Sequence, residues 1–206
     1  MTRIVAGTVG GRTLVVPPSG TRPTSERVRE ALFSRLEHDG VVDGGRVLDL
    51  FAGSGALGIE AASRGAASVT LVESARKAAE IARRNVSVLG LDGTVRVLAE
   101  PAQRVSARLA ADGGTGRGAF DLVLLDPPYD LEDAVLDGIL ADLAAPGVLA
   151  PAAVVVVERA RRSGAPTWPD GLVPVTTKRY GDTAVHYAER SEGADSADST
   201  GSPARA

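Results

Sequence analysis

The sequence predicts an α/β fold. Its core is a seven-stranded mixed sheet, parallel in the middle, with an antiparallel terminal hairpin at one edge and a separate N-terminal β-hairpin arm. Three observations predict it. Val/Leu-rich runs alternate with helical patterns between residues 46 and 158, as in a parallel sheet covered on both faces. The last two strand-like runs, 173–179 and 184–188, are joined only by Tyr180-Gly181-Asp182-Thr183, which is hairpin length. Two further short runs near the N-terminus flank a glycine-bounded turn.

The elements follow in order. Residues 3–6 and 12–16 are strand-like, with residues 7–11 as the turn. A lone hairpin is marginal in water, so this one must lean on the main domain or on a partner. Pro17 and Pro18 end it, and Thr24 or Ser25 caps a helix in which Val28, Leu32 and Leu36 recur at helical spacing with Ala31. Residues 46–51 form the first buried strand, followed by a Gly-rich turn and a short helix over 56–64. A strand over 69–73, a helix over 75–89, a strand over 95–98 and a helix over 101–109 come next. In the 75–89 helix, Ala78, Ile81 and Val88 are expected on the buried face. A Gly-rich loop at 113–116 precedes a strand over 120–125, a helix over 133–143 and a strand over 153–158. Trp168, between Pro166 and Pro169, reads as an edge anchor for the loop before the terminal hairpin. The expected division is 1–36 as an arm of hairpin and helix, 37–189 as the main domain, and 190–206 as a disordered Ser/Ala/Gly/Asp-rich tail.

Composition narrows the function. The 206 residues suit one domain with a real core. The absence of cysteine excludes disulfides, thiolate metal sites and a Cys nucleophile. With only His38 and His186, a multi-histidine metal centre is excluded too; they read as a helix-end and a strand residue. No apolar run approaches a membrane span, and the N-terminus lacks a signal-peptide core, so a soluble cytoplasmic protein is expected. The net charge of -3 gives no nucleic-acid signature on average. The average hides an asymmetry. Residues 1–36 carry Arg3, Arg12, Arg22, Arg27, Arg29 and Arg35 against Glu26 and Glu30, a net +4, whereas residues 37–187 have 15 basic and 20 acidic groups. Of the 23 basic residues only Lys77 and Lys178 are lysines, a bias that GC-rich coding would produce by itself.

Gly53-Ser54-Gly55-Ala56-Leu57-Gly58 matches G-x-G-x-x-G between a strand and a helix, and Glu73 lies 20 residues beyond Gly53 at the end of the next strand. Glycines let a ligand approach the backbone, and an acid at that strand end takes a ribose diol. A ligand-free tight turn is the alternative. Two features favour S-adenosylmethionine over NAD. Asp49 precedes the turn, where a carboxylate would repel a pyrophosphate but attract the ammonium of a methionine moiety. The fourth parallel strand then ends in Asp126-Pro127-Pro128-Tyr129, and carboxyl ends of parallel strands are where ligands bind.

Asp49-Leu50-Phe51-Ala52-Gly53-Ser54-Gly55 with Asp126-Pro127-Pro128-Tyr129 resembles the amino-group branch of class I S-adenosylmethionine-dependent methyltransferases. Arg3-Ile4-Val5-Ala6-Gly7, Gly11-Arg12 and Arg22-Pro23-Thr24-Ser25-Glu26-Arg27-Val28-Arg29-Glu30-Ala31-Leu32-Phe33 further resemble the bacterial RsmD family. The resemblance covers residues 3–189. It implies the Rossmann-like class I methyltransferase fold and methylation of N2 of one guanine in 16S rRNA, on a protein-bound small-subunit particle, by a monomer. It also implies that Asp49 and the backbone of Ala52, Gly53, Ser54 and Gly55 hold the methionine end, Glu73 the ribose, and the Ala102 N–H the adenine edge. The family often has Asp or Asn before that alanine; here Pro101 stands there, so either Glu100 makes the contact or the contact is absent.

The chemistry needs no metal, because a sulfonium methyl is already activated. A purine amine is planar, with its lone pair delocalised; acceptors on its N–H bonds favour a pyramidal nitrogen. Asp126 and the Pro127 carbonyl are the candidate acceptors, Pro127 and Pro128 stiffen the loop, and Tyr129 is placed to stack on the base. Arg3, Arg12, Arg22, Arg27 and Arg29 are the candidate phosphate contacts, as a guanidinium fork suits phosphate; Arg159, Arg161 and Arg162 either extend that patch or are solvated. Removing residues 1–20 is expected to spare cofactor binding and weaken RNA binding. The competing readings are a DNA adenine-N6 methyltransferase, which would need a target-recognition domain, an NAD-dependent oxidoreductase, and a non-catalytic rRNA-binding assembly factor.

Overall fold

A computed structural model describes residues 2–17, 26–113 and 120–191. Thr24, Ser25 and Arg22, most of the 113–116 loop, and the tail beyond Ser191 lie outside the described residues. The N-terminal hairpin is shorter than expected: β1 (Thr2–Arg3) pairs antiparallel with β2 (Thr13–Leu14). Helix α1 (Glu26–His38) follows. The alternating region then runs β3 (Arg46–Leu50), α2 (Ala56–Ser63), β4 (Ser68–Val72), α3 (Arg76–Val88), β5 (Val95–Leu98), α4 (Ala102–Ala111), β6 (Phe120–Leu125), α5 (Asp133–Ala144) and β7 (Leu149–Ala160). A short 3-10 turn, Arg161–Ser163, leads towards β8 (Leu172–Tyr180) and β9 (Thr183–Arg190).

The seven strands lie in the order β5-β4-β3-β6-β7-β9-β8. The first five are mutually parallel, and β9 runs antiparallel to both β7 and β8, giving the expected mixed sheet. Arg190, expected in the tail, is the last residue of β9 instead. Alternation along the strands divides the core in two. Val47, Leu122, Leu124, Val154 and Val156 face one layer with α1, α2 and α3, while Leu48, Leu50, Val123, Leu125, Val155 and Val157 face the other with α4 and α5. Trp168 packs against the second layer, as an edge anchor should.

The arm is fastened to the body. Ile4 and Leu14 of the hairpin and Val28, Leu32, Phe33 and Leu36 of α1 belong to the same core layer as β3 and β6, so packing is continuous across residue 36. Glu60 of α2 is fully buried and accepts the N–H groups of Val5 (2.7 Å) and Ala6 (3.0 Å). Removing residues 1–20 would strip Ile4 and Leu14 from that layer and leave Glu60 without these donors. The expected face of α3 is also turned. Ala79, Ala82, Asn85 and Val86 are buried and Val88 is 65% exposed, because small side chains and one amide, rather than the bulkier Ile81 and Val88, let α3 approach its neighbours.

Candidate active site

The strand order reverses between β3 and β6, where doubly wound sheets open a ligand crevice at their carboxyl ends. Pairing makes those ends level: Leu50 lies opposite Val72 and Leu125, Val72 opposite Leu98, and Leu125 opposite Val157. The residues that follow, including Phe51, Glu73, Asp126 and Glu158, therefore emerge along one rim. The sequence placed β3 through Phe51, but Phe51 has φ +69° and turns the chain out of the strand. A bulky residue in that region is strained, and such strain concentrates at functional loops. The turn lets the Ala52 N–H bond to the Val72 carbonyl at 2.9 Å.

The glycines have separate duties. Gly53 (φ +56°) and Gly55 (φ +86°) occupy the left-handed region that glycine tolerates, and a Cβ on Gly53 would project into open space. Gly58 packs α2 onto β4; a Cβ there would lie 2.2 Å from Leu71 Cδ2. Glu73 accepts the Gly53 N–H at 2.8 Å and the Ala75 N–H at 2.7 Å. Each carboxylate oxygen has a second acceptor site, so Glu73 braces the loop and can still take a diol.

Asp49 is 1% exposed. Its Oδ2 accepts the Gly58 N–H at 2.8 Å, while Oδ1 is buried with no hydrogen-bond partner among the described residues. Burial pushes its carboxyl up to about 7; the Gly58 bond opposes this and nearby Glu73 adds to it. An orphaned buried carboxylate oxygen beside an open glycine turn fits a cationic ammonium group. The residues present thus fit S-adenosylmethionine: Asp49 and residues 52–55 would hold its methionine end, Glu73 would take the ribose, and the first turn of α4 at Ala102 would meet the adenine. Pro101 precedes α4 in an extended conformation and carries no N–H. Glu100, the alternative adenine contact, is paired with a residue of α4. Its carboxylate is held by Arg108 at 2.7 and 3.2 Å, which lowers its pKa.

Asp126-Pro127-Pro128-Tyr129 leaves β6 on the same rim. Asp126 is half-buried, Pro127 is buried, and Tyr129 is 53% exposed, which excludes a core role for its ring. The Leu131 N–H bonds to the Pro128 carbonyl at 3.0 Å and closes the loop before α5.

The arginines sort differently from expectation. Arg29 is a correction: it is 1% exposed, donates to the Arg3 carbonyl at 2.6 Å, and lies 4.0 Å from Glu60. Burial draws its pKa down against the attraction of Glu60 and Glu26. It stands on the packed stripe of α1, at i to Leu32, Phe33 and Leu36, and so cannot reach a phosphate. Arg3 is exposed and paired with Glu26 at 3.1 Å; Arg12 and Arg27 are exposed. Arg159 pairs with Asp133 at 2.6 Å. The sequence reading also missed two buried residues that brace the site. Glu60 sits in the otherwise apolar α2 and takes Arg64 at 2.7 Å besides the hairpin. The Asn85 amide bonds to Val15 N–H and carbonyl and to the Ser54 carbonyl, each at 2.9 Å, joining the hairpin's exit to the glycine turn. A lone charged or amide residue on an apolar helix stripe is the signal that could have found both.

Fold and site together define a class I, S-adenosylmethionine-dependent methyltransferase. The family model described as "Conserved hypothetical protein 95" matches residues 2–189, and the chain belongs to that family. It is 37% identical over 198 residues to ribosomal RNA small subunit methyltransferase D of Escherichia coli K12, covering 95% of this chain and 94% of that one. Among solved structures, Escherichia coli YhhF superposes with TM-score 0.77 at 34% identity over 92% of this chain and 97% of that one. Magnesium protoporphyrin IX methyltransferase from Synechocystis, solved with bound S-adenosylmethionine, shares the fold at TM-score 0.59 and 18% identity, covering 80% of this chain and 79% of that one.

Proposed function

We propose that this chain transfers the methyl group of S-adenosylmethionine to the exocyclic N2 of one guanine in 16S rRNA, acting as a cytoplasmic monomer on an assembled small-subunit particle. The observation that carries the reading is the level rim at the switch point. It sets the Asp49–Gly58 turn beside the Asp126–Tyr129 loop within a chain that closely resembles a small-subunit rRNA methyltransferase.

The cofactor supplies a methyl already activated on a sulfonium. The chain's own residues prepare the acceptor. Asp126 and the Pro127 carbonyl accept the guanine N–H bonds and turn the nitrogen lone pair outward. The two prolines hold those acceptors in place before substrate arrives, so little reorganisation is left for the reaction. Tyr129 stacks on the base, worth about 1–3 kcal/mol. The guanine must be unpaired or flipped, since its N2 is engaged in a stem. Residues 1–36 dock RNA through Arg3, Arg12 and Arg27, and Arg22 belongs to the same basic segment; residues 37–189 hold cofactor and chemistry.

Incubation of unmethylated small subunits with labelled cofactor, followed by nucleoside mass spectrometry, is expected to yield N2-methylguanosine in 16S rRNA. Methylation of adenine N6 in duplex DNA instead, or tight subunit binding with no methyl transferred, would overturn the proposal.

A further inference from the structure

β7 runs two residues beyond its sequence-predicted end and passes into the 3-10 turn Arg161–Ser163. That turn borders an open cavity of about 640 Å³ lined by Tyr129, Ala160, Arg161, Arg162 and Asp182. Tyr129 and Ala160 also line the small crevice shared with Pro127, Pro128 and Glu158, so the cavity opens directly beside the acceptor loop.

The mouth is built rather than incidental. The Arg161 N–H donates to the Asp182 carbonyl at 2.7 Å, clipping the arginine turn to the β8–β9 turn. Arg161 and Arg162 are exposed, and among the described residues no ion pair or side-chain hydrogen bond occupies either guanidinium. Arg159, two residues earlier, is by contrast neutralised by Asp133. Two unneutralised guanidiniums on a fixed turn suit a phosphodiester. Asp182 across the same mouth repels phosphate but accepts hydroxyl or amino donors. The two signs therefore orient a nucleotide.

We propose that this cavity is the subsite for the RNA backbone flanking the target base: Arg161 and Arg162 hold its phosphates, and Asp182 accepts from the sugar or base side. The inference rests on the RNA methyltransferase reading and adds a second anchor on the body of the protein, separate from the N-terminal arm.

The test uses the full chain with unmethylated small subunits. An Arg161→Ala/Arg162→Ala double variant is compared with wild type and with Arg84→Ala, an exposed arginine of α3. The readouts are KM for subunits, the salt dependence of subunit binding, and calorimetric affinity for S-adenosylmethionine. The double variant is expected to raise KM at least tenfold. The slope of log affinity against log salt should fall by about 1.4–1.8, as for two lost phosphate contacts. Cofactor affinity and melting temperature should stay at wild-type values. A wild-type KM, or a raised KM with an unchanged salt slope, would overturn the phosphate subsite while leaving the methyltransferase reading intact. Failure of the wild-type chain to bind or methylate subunits would instead overturn that reading, and the subsite with it.

Discussion

Asp49 shows how much one side chain can couple. Its carboxyl has an ordinary value near 3.8 in an unfolded chain and about 7 in the folded protein, chiefly because it is buried. The folded state thus binds that proton more tightly. The stabilisation from this group is full below about pH 4 and is lost progressively as the pH rises to about 7. A cation beside the unpartnered Oδ1 reverses the preference, because it favours the charged form. Affinity for S-adenosylmethionine should therefore rise with pH, by up to about tenfold per unit below pH 7, and level off above it. Calorimetry in two buffers of different ionisation enthalpy should show proton release near neutrality, and Asp49→Asn should flatten the profile. A pH-independent affinity in the wild-type protein would remove Asp49 from the ammonium site. The sequence showed that a carboxylate stood before the glycine turn. It could not show that one oxygen is spent on the Gly58 N–H and the other is buried without a partner among the described residues, since that depends on how closely α2 packs on β4.

At the scale of elements, order and type were legible because Val/Leu runs and helical stripes alternate without interruption from β3 to β7. Boundaries and faces were less so. Phe51 looked like a strand residue, and only its positive φ removes it from β3. Ile81 and Val88 drew the expected α3 face towards themselves, whereas the buried stripe is made of alanines, Val86 and the Asn85 amide. Arg29 misled for a related reason: charge suggested surface, while its i, i+3, i+4, i+7 partners placed it inside. Its role is to join α1, the hairpin and α2 through the Arg3 carbonyl and Glu60. Breaking a buried pair by removing one partner costs about 3–5 kcal/mol. Arg64 remains on Glu60, so Arg29→Ala should sit near the lower end, about 3 kcal/mol. Urea unfolding should show that loss, and the salt slope of RNA binding under native conditions should not change. A wild-type midpoint with a slope reduced by about 1 would return Arg29 to the phosphate contacts.

For the whole molecule, an acidic average coexists with a basic N-terminal segment, and the structure redistributes that positive charge. Arg29 goes inside, Arg35 pairs with Asp39 at 3.1 Å, and Arg3 pairs with Glu26. Arg12 and Arg27 stay exposed on the arm, and Arg161 and Arg162 stand exposed on the body beside Tyr129. Glu60 and Asn85 bind the arm to the glycine turn and its helix, so the proposed RNA-docking segment and the proposed cofactor turn are hydrogen-bonded into one packed unit. The links from the hairpin to Glu60 and Asn85 could not be read from spacing, because they join residues 54 to 70 positions apart. The candidate site itself was legible, since each of its two loops follows a strand directly and the topology sets those strands side by side with level ends. In the proposed mechanism, the loop that begins at Asp126 joins cofactor to substrate across that rim. The most direct measurement is labelled-methyl transfer to 16S rRNA in small subunits by Asp126→Ala, with cofactor affinity measured on the same sample. The account predicts wild-type affinity for S-adenosylmethionine with transfer reduced at least a hundredfold. Turnover near the wild-type rate would contradict it.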